Sequence, residues 1–124
     1  MAVAQAFPMR YGMFRPLLTV LGAGPKFSKV EIDGDRLRVR MGLLFKAEVP
    51  LAAITSVGPD TQMVGGIGVH GGRGNWLVNG AARGIVRIEI EPPARAKVMG
   101  VPVRLRILRV GVKSPGDLIA ALRR

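Results

Sequence analysis

From Lys29 onward, apolar and polar residues alternate along the chain with a period of two. Val30 and Ile32 alternate with Lys29, Glu31 and Asp33, the pattern of a strand with one face buried. Asp33-Gly34-Asp35 is hairpin-turn chemistry. Leu37, Val39 and Met41 then alternate with Arg36, Arg38 and Arg40, so three arginines share the solvent face of a second strand. Gly42 permits the next turn. Phe45, Ala47 and Val49 alternate with Lys46 and Glu48 in a third strand that Pro50 ends. Leu51 to Ile54 reads as one helical turn, Thr55-Ser56-Val57 as a short fourth strand, and Gly58-Pro59-Asp60 as a break.

The second half repeats the alternation. Asn75 to Val78 predicts a fifth strand and Ile85 to Glu91 a sixth, with Val86, Ile88 and Ile90 facing one way. Pro92-Pro93 reads as its end, because proline cannot donate to a ladder, and Ala94 to Gly100 as a loop. Val103, Leu105 and Ile107 alternate with Arg104 and Arg106. The phase then slips by one, to Leu108, Val110 and Val112 around Arg109, which is the mark of a β-bulge and of a bend suited to barrel closure. Ser114-Pro115-Gly116-Asp117 opens a last element. Ser114 is a cap residue, Pro115 suits the first helical position, and Asp117 suits the positive end of the helix dipole. Leu118, Ile119 and Leu122 form one apolar stripe, and Arg123-Arg124 suit the negative end. A helix this short persists only when docked.

These elements predict a mainly β fold: a small antiparallel seven-stranded barrel or sandwich closed by one C-terminal α-helix, spanning residues 29–124. Residues 1–28 carry no such alternation. They read as an N-terminal arm or extra element, with an extended or helical piece near Met13 to Leu21 and a turn at Gly22 to Pro25.

Between the two halves lies a glycine-rich stretch, Gly65 to Gly80, holding the chain's one histidine, His70, its one tryptophan, Trp76, and Arg73. Gly66, Gly68 and Gly71 have the spacing of a dinucleotide-binding loop, but the following Gly72-Arg73-Gly74-Asn75 cannot open a helix, so that chemistry lacks its context. His70, Arg73 and Trp76 are the loop's candidates for ligand contact. Against them stands the plainer reading of His70 bonding local backbone and Trp76 packing on a sheet. Asn79-Gly80 is a turn signal, sending the chain back into the next strand.

Composition narrows the chemistry. There is no cysteine, hence no disulfide or thiol chemistry, and one histidine cannot build a zinc site. No carboxylate pair is spaced for acid–base work, so we expect a non-catalytic protein with no cofactor and no metal. No apolar run approaches the ~18 residues of a transmembrane helix. With 48% apolar residues and a mean hydropathy of +0.28, the chain is apolar enough to suggest a covered surface, either a protein partner or a second copy. The default placement is cytoplasmic, with peripheral membrane contact as an addition. The charge is lopsided, 19 basic residues against 8 acidic and a net +11, mostly arginine. Such an excess attracts polyanions, although GC-rich coding writes a similar composition whatever the function. Arg36, Arg38 and Arg40 on one strand, with Arg104 and Arg106 on another, form a basic patch if those strands are neighbours; the alternative is an ordinary solvated face. Anionic membrane is the better target, since no aromatic interleaves the arginines for stacking on nucleic acid.

The order of strands and final helix resembles the pleckstrin-homology-like fold, in particular the small bacterial PH-like domains. The residues that carry the likeness are Val30 to Arg40, Glu48 to Ile54, and Ser114 to Ile119. The run from Gly68 to Gly80 is also similar to one in small uncharacterised actinobacterial proteins. The resemblance implies a binding module rather than an enzyme, with protein–protein contact or self-association as the first expectation. Anionic membrane or nucleic-acid binding through the arginine rows is the alternative.

Overall fold

The computed structural model describes residues 5–9, 28–42, 44–60, 68–79 and 84–123. The fold is mainly β, as the alternation predicts. The described strands are β1 (Gln5–Ala6), β2 (Ser28–Asp33), β3 (Arg36–Met41), β4 (Phe45–Pro50), β5 (Ile54–Pro59), β6 (Gly68–Gly72), β7 (Asn75–Asn79), β8 (Ile85–Val98) and β9 (Val101–Gly111). A 3-10 turn at Leu51–Ala53 separates β4 from β5, and one helix, α1 (Pro115–Leu122), comes last. The strands form one sheet in the order β1-β2-β3-β4-β8-β9-β7-β6, with β5 paired to β8 off that path. All neighbours are antiparallel except β7 and β9.

β8 organises the sheet. Its first half pairs with β5 and its second half with β4, while β9 runs along its other edge. The sequence reading of Pro92-Pro93 as a stop, and of Ala94 to Gly100 as a loop, is therefore corrected. The ladder with β9 shifts register between Glu89 and Ala94, and this displaced segment holds both prolines where no N–H is required of them. Beyond it β8 resumes as Ala94-Arg95-Ala96-Lys97-Val98 and turns directly into β9.

The phase slip predicted in the last strand is present opposite that segment. Leu105 and Leu108 are both buried, three residues apart. The N–H groups of Arg106 and Ile107 both donate to the Gly74 carbonyl, at 2.8 and 2.9 Å, the bonding pattern of a bulge.

The core lies on the inward face of this curved sheet. Val30, Leu37, Val39, Phe45, Val49, Ile88, Leu105, Leu108 and Val110 are almost wholly buried, and Leu118 of α1 joins them. Within β2, β3 and β4 the inward residues follow the two-residue alternation, and in β9 they do so on either side of the slip between Leu105 and Leu108. Ser114 caps α1 through its backbone rather than its side chain: its carbonyl accepts from Asp117 and Leu118, at 3.2 and 3.3 Å. Arg123 stands at the C-cap of the helix, and Arg124 lies outside the described residues. The Arg123 guanidinium donates to the Val57 carbonyl at 3.0 and 3.2 Å, tying the helix end to β5.

There are nine described strands rather than seven, and the sheet is not closed. The extra strands are β1 and β6. Residues 5–9 of the arm are tied in: β1 pairs with β2, Phe7 donates to Val30, and the Pro8 carbonyl accepts from Lys113. Met9, itself buried, bridges Val112. Beyond β9 the sheet continues through β7, which pairs with Ile107–Val110, to β6, and the two terminal strands, β1 and β6, are not paired with each other among the described residues. The Met13–Leu21 piece, the Gly22–Pro25 turn and Gly80 lie outside the described residues. No described helix is long and apolar enough to cross a membrane.

Candidate functional site: a cationic sheet face

The outward residues of β2, β3, β4, β8 and β9 share one face, and register decides which charges meet on it. At one end the β2–β3 turn brings acid to the arginines. Arg36 lies 3.6 Å from Glu48 and 4.0 Å from Asp35. Arg38 lies 3.1 Å from Asp33, 3.8 Å from Glu48 and 3.9 Å from Glu31. Two of the five arginines selected from the sequence are thus neutralised within the fold.

The other end is different. Lys29, Arg40, Lys46 and Lys97 stand directly opposite one another across β2, β3, β4 and β8. At the usual strand spacing that row spans about 14 Å. One pleat along β8, Arg95 stands opposite Arg104 on β9. Lys29 has Glu31 at 3.4 Å. Among the described residues Arg40 has no carboxylate partner and donates to the Gly42 carbonyl at 3.4 Å. Lys46, Arg95, Lys97 and Arg104 are exposed and have no carboxylate partner among the described residues. All 8 carboxylates of the chain are described residues, so their positions are accounted for.

Like charges directly opposite in a sheet oppose folding, by a few tenths to about 1 kcal/mol per pair. Arg40–Lys46, Lys46–Lys97 and Arg95–Arg104 carry that cost without neutralisation. Elsewhere on the same strands the fold avoids it. Arg87 and Arg109 also face each other, but Arg87 has Glu89 at 3.7 Å and Arg109 has the buried Asp60 at 2.5 Å.

Arg95, Lys97, Lys46 and Arg104 line a shallow depression of about 650 Å³ with Glu48, Pro102 and Val103. A second depression of about 590 Å³ adjoins it through Glu48 and Arg95. The face is broad and open, suited to an extended anionic surface more than to an enclosed small molecule.

The sequence candidates are distributed as follows. The rows on β3 and β9 are not neighbours; β4 and β8 lie between them, and these intervening strands supply Lys46, Arg95 and Lys97, which the sequence reading did not include. Arg40 and Arg104 belong to the resulting patch. Arg106 is exposed farther along β9, its side-chain stem lying against Gly74. Arg73 sits exposed in the β6–β7 turn, with φ of 52°. Trp76 is half buried against the core, and its indole Nε1 has no hydrogen-bond partner among the described residues. The His70 backbone pairs with Leu77 in β6, and its side chain lies outside the described residues. Among the described residues, no three His, Cys, Asp or Glu side chains cluster as a metal site would require.

Comparison with protein-family models, with curated proteins and with solved structures finds no match. The functional reading therefore rests on the face itself.

Proposed function

We propose that the chain is a non-catalytic binding module, PH-like in its antiparallel strands and C-terminal helix, whose cationic face docks on an anionic membrane surface. One observation carries this. Three like-charged pairs face each other across adjacent strands without carboxylates, although the same sheet neutralises Arg36, Arg38, Arg87 and Arg109. A ligand with many phosphates removes the repulsion that the fold leaves in place. Each basic residue near an anionic bilayer contributes about 1 kcal/mol, so five on one face suffice for salt-sensitive attachment.

Co-sedimentation with phosphatidylcholine vesicles, with and without phosphatidylserine, tests the reading. We expect binding only to the anionic vesicles and its loss at high salt. Binding to duplex or single-stranded nucleic acid with no vesicle binding would replace it with a nucleic-acid reading.

A second reading, protein contact or self-association, is supported by the two ends of the sheet. Among the described residues β1 and β6 each pair on one side only, and such edges accept further strands. It predicts an oligomer or complex insensitive to salt, seen by sedimentation velocity.

A further inference from the structure

The β8–β9 hairpin ends in Val98-Met99-Gly100-Val101. Met99 and Gly100 both have positive φ, 50° and 81°, as a two-residue type I′ turn requires. Asparagine, aspartate and glycine favour such positions; methionine does not. Met99 is nevertheless there, and it is 72% exposed, beside Val101 at 61%. These are the two large apolar side chains that stand exposed among the described residues. They serve neither the turn nor the core.

Their surroundings show what they suit. Lys97 lies two residues behind Met99, about 7 Å along the strand. Lys46 stands opposite Lys97, and Arg40 opposite Lys46. The tip is held beside the β3–β4 turn, since the Met99 N–H donates to the Leu44 carbonyl at 3.0 Å. An apolar point with cations set back about 7 Å falls within the ~5–10 Å to which apolar groups enter the headgroup–acyl boundary while their neighbouring basic residues stay with the headgroups.

We propose that Met99 and Val101 insert into the bilayer as an anchor, while Lys97, Lys46 and Arg40 contact the lipid phosphates behind them. The inference rests on the membrane reading above and adds to it a defined point of entry. It also sets the tilt of the docked face: the β8–β9 tip is the part that enters the bilayer, and the acidic β2–β3 turn at the opposite end of β3 lies farthest from it.

The test uses the full chain and anionic phosphatidylcholine–phosphatidylserine vesicles. Met99→Asn suits the turn better, so it keeps or raises the melting temperature; we expect it to weaken vesicle binding about tenfold. Because the chain has no cysteine, Met99→Cys can be labelled at one site with an environment-sensitive dye. We expect a blue shift on vesicles and quenching by lipids brominated in the acyl chain, with neither for the same dye at Ser114→Cys. Unchanged affinity of Met99→Asn together with an unquenched dye, while the wild type still binds anionic vesicles, would overturn the anchor and leave the cationic face standing. Failure of the wild-type chain to bind any vesicle would overturn both.

Discussion

The two ends of the outer face are built from the same strands with opposite results. At the β2–β3 end, Arg36 and Arg38 meet Asp33, Asp35 and Glu48, and the turn between the strands is polar, Gly34-Asp35. At the β8–β9 end, Arg40, Lys46, Lys97, Arg95 and Arg104 meet each other, and the turn is apolar, Met99-Gly100. β3 contributes one arginine to the second end and two to the first. Its strict alternation of arginines therefore says little about function. Register against β2 and β4 decides which of them is neutralised.

The contrast can be broken most forcefully by removing the cationic row. With each basic residue worth about 1 kcal/mol at an anionic surface, Arg40→Ala with Lys46→Ala and Lys97→Ala should cost about a hundredfold in vesicle affinity. Near-native affinity in vesicle titrations would show that charge elsewhere drives attachment.

A single change sharpens the comparison. Lys97→Thr removes one repulsive contact and substitutes a residue suited to strands. It should lower vesicle affinity about fivefold and raise stability by a few tenths to about 1 kcal/mol in a denaturant melt. A loss of both stability and affinity would show that Lys97 stabilises the sheet in place of straining it.

The smallest expected effect is at the other end. Arg36→Gln with Arg38→Gln should leave vesicle affinity within about twofold, because those charges are already neutralised. It should cost up to about 1 kcal/mol of stability through the lost exposed ion pairs.

Much of the fold was legible in the sequence, because alternation is local. The inward residues of β2, β3, β4 and β9 could be read directly, as could the phase slip between Leu105 and Leu108 and the entry into α1 at Pro115. Two kinds of feature were not. β6 is mostly glycine and gives no alternation, and its parallel docking through β7 onto β9 is a long-range pairing. Pro92-Pro93 locally signals a stop, and only the register shift against β9 lets β8 continue past it. That misreading hid the patch, since it placed Arg95 and Lys97 in a loop. It also hid the Met99-Gly100 turn, which lacks the usual Asn-Gly signature. The neutralisation of Arg36 and Arg38 was only half legible: Asp33 and Asp35 belong to the hairpin that the sequence predicts, but Glu48 lies on another strand, and its register is set by the assembled sheet.

If the proposed face binds, the location of its cations matters more than net charge. Arg36→Glu with Arg38→Glu and Lys46→Glu with Lys97→Glu lower the net charge of +11 by the same amount. Titrating both against anionic phosphatidylserine-containing vesicles, at low salt, is the most direct test. We expect the Lys46/Lys97 variant to lose binding and the Arg36/Arg38 variant to keep most of it. Equal losses would show that net charge alone drives attachment and reduce the cationic face to a consequence of composition.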